Sequence, residues 1–248
     1  MNILIAPDSF KGTLTSTEVC DIVESAIKKR IKNCNVTKLP VADGGEGLCS
    51  ALQSSVGGTK VLAKSRDPFG NKMVAEYVVL NNKTAVVEMS SCAGLPLVGE
   101  SANPLVTTTY GVGMLISDVQ HRGLKNIILG LGGSATNDCG IGMAEALGFK
   151  FLDSDGNPVV TIGKNMINIS KIVKPKAFPA INVTAACDVT NPLFGDNGAA
   201  YVFAPQKGAD EQAVKILDCG LRHMSITRKS FDKSSQYFLL AVKFCRYN

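Results

Sequence analysis

The sequence of this 248-residue chain predicts an α/β fold built from two parts. Short apolar runs alternate with helical patterns over residues 1–56, an order typical of a parallel sheet. Three strand-like runs joined by turn sequences follow, and their lengths predict an antiparallel or mixed sheet. The alternation of helix and strand returns after Pro104. We therefore expect a domain boundary near residue 60.

The first part opens with an apolar strand and a well-marked helix. The run NILIAPD ends at Asp8, and Thr15 and Glu18 then have the spacing of a capping box. Apolar residues recur on one helical face after this box, and the basic residues 28–30 suit the negative end of the helix dipole. The run NVTKLPVAD predicts a second strand, followed by a Gly-rich turn and a helix over residues 47–56.

The middle of the chain has hairpin signals and the last third has helix and strand signals. KVLAKSRD, MVAEYVVL and TAVVEM read as strands, because DPFGN and LNNK between them are good turn sequences. We then expect a helix over residues 109–122, a strand at NIILGLG, a helix over residues 138–147 closed by Gly148, and a strand at VTAACD.

Composition indicates a folded protein. Hydrophobic residues make up 45% of the chain and charged residues 19%, so the chain can bury a core and is not of the disordered class. Its start lacks the long apolar region of a secretory signal, and no segment approaches the roughly 20 apolar residues that span a bilayer. We expect a cytoplasmic protein with no membrane partner, and the oligomeric state stays open.

The formal charge of +5 lies in one place along the chain. Residues 1–221 hold 20 basic and 20 acidic residues, whereas residues 222–248 hold six basic residues against Asp232. A nucleic-acid footprint would recur along the folded body, so we expect no nucleic-acid partner. The eight cysteines are scattered singly, and neither His121 nor His223 has a ligand at zinc spacing, which predicts buried, reduced thiols.

Four apolar runs end in small residues and then an aspartate. These aspartates are Asp8, Asp43, Asp138 and Asp188. In open α/β sheets, ligands bind beyond the carboxyl ends of the strands, where such acids could bind Mg²⁺, hold hydroxyls or act as a base. Any single aspartate is better explained as a turn or cap residue. Four in equivalent places favour a functional site.

The loop of residues 130–138 has the composition of an anion-binding loop. Its glycines, among them Gly132 and Gly133, allow backbone N–H groups to approach an anion. Three polar side chains add hydrogen bonds: Ser134, Thr136 and Asn137. Asp138 would repel a bare pyrophosphate unless a metal ion lay between them, which makes Asp138 the candidate metal ligand.

The same loop leaves a second function open. Gly130, Gly132 and Ala135 satisfy the loose dinucleotide fingerprint, which is weak evidence on its own. A nicotinamide-dependent oxidoreductase is therefore the alternative to a phosphate-transferring enzyme. The Walker lysine motif, the GxSxG elbow and the HExxH motif are absent from the sequence.

Two further loops carry polar residues after the first two strands. Ser9 and Lys11 follow the first strand, and Asp43 and Glu46 follow the second. A lysine on a turn is usually only solvated. Beside a Gly-rich loop it could instead neutralise a transferring phosphoryl group.

Five colinear sequence blocks run from residue 1 to about residue 222: APDSFKG, PVADGGEG, NPLVTTTYGVG, LGGSATND, and CDVTNPLFG running on to FAPQKGA. Together these blocks resemble the bacterial type-1 glycerate kinase family. The resemblance implies a transferase that phosphorylates glycerate with ATP and Mg²⁺, with the 2-hydroxyl favoured. It also implies a flavodoxin-like domain, begun by residues 1–60 and interrupted by a mixed α/β domain at residues 61–222.

The resemblance implies roles for the candidate residues. Asp188 is expected to be the base or a metal-orienting carboxylate, with Asp43 as the alternative, and Lys11 is expected to stabilise the phosphoryl group. Residues 132–137 are expected to cradle phosphates. Arg66 could meet the substrate carboxylate, or could form a surface ion pair with Asp67. Asp8, Ser9 and Glu46 complete the expected substrate contacts.

The sequence departs from the family after about residue 222. Residues 223–248 lose the resemblance, carry the charge surplus and contain 5 of the 15 aromatic residues. A shifted reading frame or an early stop would explain these features, leave the flavodoxin-like part incomplete, and make this chain inactive or a non-catalytic fragment. We expect residues 224–248 to pack poorly and to promote association.

Overall fold

The computed structural model describes residues 1–10, 12–176 and 181–229. Over these residues the protein is α/β and contains parallel strands, which confirms the predicted class. The strands in these ranges form one sheet of five strands and two sheets of two strands. Within the described ranges, no helix combines the length and the apolar character needed to cross a membrane.

The N-terminal unit is a parallel strand pair with a helix between its strands. Strand β1 (Asn2–Ile5) pairs with β2 (Asn35–Lys38), and α1 (Ser16–Arg30) connects them. The predicted capping box is present, because the Thr15 hydroxyl accepts the Glu18 N–H at 3.2 Å and Glu18 Oε2 accepts the Thr15 N–H at 2.7 Å. These bonds satisfy two N–H groups that would otherwise be unpaired at the helix start.

The five-stranded sheet begins antiparallel and ends parallel. Its strands are β3 (Thr59–Arg66), β4 (Lys72–Leu80), β5 (Thr84–Glu88), β6 (Asn126–Gly130) and β9 (Asn182–Ala186), in that spatial order. The three predicted hairpin strands pair antiparallel, and β6 and β9 then add parallel neighbours. The carboxyl ends of β5, β6 and β9 therefore meet at one edge of the sheet.

The remaining elements cover this sheet or form a second layer. The helices are α2 (Leu48–Val56), α3 (Ser90–Ala93), α4 (Tyr110–His121), α5 (Ile141–Ala146), α6 (Ala199–Phe203) and α7 (Glu211–Lys229), and β7 (Lys150–Leu152) pairs antiparallel with β8 (Lys171–Val173). Helix α5 begins three residues later than predicted, because Cys139 and Gly140 adopt positive φ angles of 55° and 68°.

Helix α2 joins the N-terminal unit to the five-stranded sheet. Its apolar face packs on the sheet through Leu48 and Cys49 against Val78 and Val86. The buried Glu88 carboxylate accepts the Cys49 N–H at 2.5 Å, near the positive end of the helix dipole. This contact places the loop that precedes α2 at the carboxyl edge of the large sheet.

There are two larger cores among the described residues. One lies on the face of the five-stranded sheet opposite α2, and the other lies beneath α7. The first buries Tyr77, Leu115 and Leu129, and the second buries Met166 and Leu221 among others. Burial raises the pKa of the thiols of Cys49 and Cys92, that of Cys92 to about 11. Of the cysteines in the described ranges, Cys219 is exposed, so the expectation of burial is wrong for that thiol.

The predicted boundary at residue 222 falls inside α7. Met224 is only 1% exposed and belongs to the second core, so the expected loss of packing is wrong at that residue. His223 also contacts the body, with Nε2 lying 2.7 Å from the carbonyl oxygen of Ile169. The part of the tail from residue 230 onward lies outside the described residues, and the domain boundaries stay predictions.

We predict that Met224→Ala lowers the free energy of unfolding by about 2–5 kcal/mol, because it leaves a cavity in the hydrophobic core. Ile226→Ala, two residues along the same helix at a side chain that is 63% exposed, should change it by about 0.5 kcal/mol or less. Urea unfolding of the two variants measures both values. Equal losses would contradict the packing of Met224 in the core.

Candidate functional site

A cavity of about 220 Å³ lies at the carboxyl ends of β6 and β9. Its lining residues in the described chain are Asp43, Leu95, Leu131, Gly132, Gly133, Ser134, Cys187, Asp188, Val189, Phe203, Gln206 and Lys207. The structure thus brings together five residues that the sequence placed on three separate loops: Asp43, Gly132, Gly133, Ser134 and Asp188. Ligand sites of α/β sheets occur at this edge.

Close backbone contacts bring these loops together. The Gly132 N–H donates to the Gly44 carbonyl at 3.1 Å, and the Leu131 N–H donates to the Ala186 carbonyl at 3.2 Å. A Cβ at Gly130 would lie 2.5 Å from the Gly44 oxygen, and one at Gly44 would lie 2.5 Å from the Ala186 oxygen. Only glycine allows both approaches, so the cavity wall requires these residue types.

The Gly-rich loop is also held from its other side. Helix α3 and the segment after it bind the loop backbone, since the Ala135 N–H donates to the Ala93 carbonyl and the Leu95 N–H donates to the Gly133 carbonyl. The Thr107 hydroxyl donates to the Ala135 carbonyl at 3.0 Å. These bonds leave little freedom to the backbone that faces the cavity.

Two carboxylates line the cavity at different depths. Asp43 is half-buried, and its Oδ1 accepts the Gly45 N–H at 2.9 Å. Asp188 follows β9 by two residues and is exposed to solvent. A cation or a hydroxyl group that enters the cavity can therefore meet oxygen ligands from two loops.

Lys207 is the functional candidate that sequence reasoning missed. It is only 5% exposed, and its Nζ donates to Ser134 Oγ at 2.9 Å and to the Thr136 carbonyl at 2.7 Å. Lysine is almost never fully buried without partners, so such burial is informative. The sequence signal was its place in FAPQKGA, one of the motifs of the family resemblance.

Asp138 lies behind the Gly-rich loop and is fully buried. Its Oδ2 accepts the Thr109 N–H and hydroxyl, both at 2.8 Å, and the Gly142 N–H at 3.2 Å. Its Oδ1 accepts the Gly140 N–H at 3.1 Å. Burial raises the pKa of Asp138, while these hydrogen bonds act in the opposite direction. The contacts tie the starts of α4 and α5 together, which favours a structural role, and metal ligation by Asp138 stays a prediction.

Thr136 and Asn137 are buried beside Asp138 and line a smaller cavity of about 40 Å³, next to the larger one. Ser134 and Lys207 line both cavities. The predicted phosphate-binding residues therefore divide into two groups. Gly132, Gly133 and Ser134 face the larger cavity, and the other two lie behind them.

The remaining candidates are not among the described residues that line the larger cavity. Asp8 Oδ1 accepts the Ser9 N–H at 2.7 Å, and Glu46 is exposed. Arg66 donates to the Gly70 carbonyl at 2.6 Å, and its guanidinium lies 5.8 Å from the centre of the Tyr110 ring. Lys11 lies outside the described residues. Their roles toward substrate stay predictions.

Comparison with known proteins gives consistent matches. The sequence model of a family described as "Glycerate kinase family" matches residues 3–237. A glycerate kinase of Haemophilus influenzae is 42% identical over 230 residues, which are 91% of this chain and 61% of the relative. The glycerate 2-kinase of Escherichia coli K12 is 42% identical over 228 residues, covering 90% and 60%.

A solved structure matches in the same way. The crystal structure of a Salmonella typhimurium LT2 protein designated glycerate kinase 2 has a TM-score of 0.79 and 37% identity to this chain. The match covers 92% of this chain and 62% of the solved one. This chain therefore spans about three fifths of the length of the relatives it matches.

We predict that Gly132→Ala disrupts the contact between the two loops, because its Cβ would lie 2.7 Å from Gly45 Cα. Overpacking of this kind costs about 1–3 kcal/mol. The control is Gly156→Ala, which adds backbone strain at a φ of 85° but whose Cβ would meet nothing within 4 Å. Hydrogen exchange of residues 43–47 and 130–135 should accelerate in the first variant and stay unchanged in the second. Unchanged exchange in both would contradict the contact.

We predict opposite pH slopes for two aspartates. The folded-state pKa of Asp138 is raised, so its ionisation opposes folding, and stability relative to Asp138→Asn should fall as pH rises from about 4. The pKa of Asp153 is lowered by hydrogen bonds from Asn157, so stability relative to Asp153→Asn should fall as pH drops toward 3. Urea unfolding at a series of pH values measures both slopes. A shared sign would contradict the burial assigned to Asp138.

Proposed function

This chain belongs to the glycerate kinase family, and on that premise we propose that its protein transfers a phosphoryl group from ATP to the 2-hydroxyl of glycerate. The observation that carries the proposal is one cavity that unites a Gly-rich loop with two carboxylates and a buried lysine. Phosphoryl transfer depends mainly on positioning and on charge stabilisation, and the cavity has groups for both.

The backbone of the Gly-rich loop and a hydroxyl would hold the phosphates, with the Gly132 N–H excepted because it already donates to the Gly44 carbonyl. Gly132 and Gly133 have no side chains to obstruct the approach of a phosphate to the backbone, and Ser134 adds an O–H group. The hydrogen bonds of Leu95 and Ala135 keep this loop in one shape before a ligand enters. Donors held in place in this way stabilise the charge of the transition state.

Asp188 is the base in this proposal. The Asp43 carboxylate already accepts the Gly45 N–H, which fixes its orientation, whereas Asp188 lies exposed at the cavity. A glycerate hydroxyl beside Asp188 could give its proton to this carboxylate as its oxygen bonds to the γ-phosphorus of ATP and the bond from that phosphorus to the leaving ADP oxygen breaks. Asp43 then acts mainly through its charge and its oxygen atoms.

The donor set fits Mg²⁺. In the described part of the chain, no three His, Cys, Asp or Glu side chains converge as a metal cage. Mg²⁺ in kinases is typically bound by one or two carboxylates together with substrate phosphates and water. Asp43 would hold it here together with phosphate oxygens and water, and the bound ion would neutralise charge on the phosphoryl oxygens. Asp138 is not used in this way, because both of its oxygens accept hydrogen bonds.

The oxidoreductase alternative is not favoured. The dinucleotide fingerprint requires a helix that opens directly at the glycines. Here α5 starts at Ile141, and residues 134–138 lie buried between the glycines and that helix. The related proteins with a stated activity are kinases.

The proposal is tested by incubating the protein with ATP, Mg²⁺ and glycerate and identifying the product by phosphorus NMR. Both the 248-residue chain and the same chain extended by the C-terminal section of the Haemophilus influenzae relative are assayed. Formation of 2-phosphoglycerate and ADP by either protein is expected. No product from either protein, or reduction of NAD in place of ATP use, would contradict the proposal.

We predict that Asp188→Asn lowers kcat by about 10²–10⁴-fold, because the amide cannot accept the hydroxyl proton. Affinity for Mg-ATP should fall much less. Asp155→Asn, a matched change at an exposed turn residue that does not line the cavity, should leave kcat unchanged. Steady-state kinetics and calorimetric titration separate the two effects. An equal loss in both variants, or none in either, would show that Asp188 is not the base.

A further inference from the structure

The ammonium of Lys207 determines the hydrogen-bonding role of Ser134. An ammonium group can only donate, so in the 2.9 Å contact Ser134 Oγ must be the acceptor. The single proton of the hydroxyl is then left to donate elsewhere. Ser134 lines the larger cavity, where an entering ligand could accept that proton.

The position of Lys207 is itself fixed by the backbone. Lys207 ends the short 3-10 helix Pro205–Lys207, where its N–H donates to the Ala204 carbonyl at 3.0 Å. Gly208 follows with a φ of 90°, and a Cβ there would lie 2.1 Å from the Ala102 oxygen. The Lys207 side chain therefore reaches the Gly-rich loop from a backbone segment that has little freedom to move.

Packing alone does not explain a lysine at this place. Burial of an ammonium carries a desolvation cost, and a methionine of similar length would fill the same space without it. The cavity also has two carboxylates in its wall, Asp43 and Asp188. A fixed positive charge there offsets their repulsion of an anionic ligand.

We propose that Lys207 is a positioning residue that holds the Ser134 hydroxyl as a donor to a phosphoryl oxygen in the cavity. This inference rests on the proposed function and deepens it. Lys207 acts through Ser134 and through the Thr136 carbonyl, which it binds at 2.7 Å, so the loop and its hydroxyl are oriented before the phosphate arrives. The ligand chemistry is that of a nucleoside triphosphate or another phosphate anion.

A double-mutant cycle tests this role. Lys207→Met, Ser134→Ala and the double variant are titrated with Mg-ATP and with inorganic phosphate in a calorimeter. Each single change should weaken binding by about tenfold, and the double change by no more than either alone, because the two side chains act as one unit. Lys207→Arg, which keeps a donor, should recover part of the loss. Lys215→Met, at an exposed lysine of α7, is the matched control.

Stability is measured separately by urea unfolding. If Lys207 is merely structural, Lys207→Met should lower stability and leave the ligand affinity of the folded fraction unchanged, or the losses of affinity in the two single variants should multiply in the double variant. Either result overturns the inference. If Lys207→Met does not fold, the affinities of Ser134→Ala and Ser134→Thr for Mg-ATP test the inference instead. Wild-type affinity in Ser134→Ala overturns the inference, whereas loss in Ser134→Ala with retention in Ser134→Thr supports it.

The outcome can be distinguished from failure of the proposed function. If glycerate is not phosphorylated but the cycle shows shared losses in Mg-ATP binding, the acceptor is wrong and the positioning role stands. If both proteins assayed above bind neither Mg-ATP nor inorganic phosphate, the positioning role is overturned as well. If 2-phosphoglycerate forms but the losses of binding free energy in the double-mutant cycle are additive, the proposed function stands and the positioning role of Lys207 is overturned.

Discussion

The candidate site depends on a place where three stretches of backbone approach more closely than side chains would allow. The loop after β2, the end of β6 and the end of β9 meet at Gly44, Gly130 and Ala186. Since β2 belongs to a separate two-stranded sheet, no strand pairing among the described residues brings its loop to this edge. Glycine at the contact points is what permits the approach, and the hydrogen bond from Gly132 to Gly44 maintains it.

The contact has a direct chemical consequence. It places Asp43, from the N-terminal unit, and Asp188, from the five-stranded sheet, on the wall of one cavity. Two carboxylates beside the Gly-rich loop would repel an anionic ligand by themselves. The buried Lys207, and Mg²⁺ in the proposed reaction, would offset this repulsion, which is the electrostatic arrangement that phosphoryl transfer requires.

The loop itself is held by groups on the neighbouring elements. Asp138 and Thr109 connect the starts of α4 and α5 behind it, and Ala93 and Leu95 bind its backbone from α3 and the segment that follows. A site whose shape is set before ligand binding loses less free energy when the ligand orders it. The elements around the Gly-rich loop thus determine the position of the groups that the loop presents to the cavity.

Local sequence patterns determined most of the secondary structure. The capping box at Thr15 and Glu18, the hairpin turns between β3, β4 and β5, and the period of the apolar residues depend on neighbours in the chain, so they can be read from it. The motifs also determined the family, and they included three of the loops that form the cavity. Only the tertiary structure decided that Lys207 is buried against Ser134 and that Asp138 joins two helices. Burial and convergence arise from contacts between residues tens of positions apart, and no short pattern in the sequence encodes such contacts.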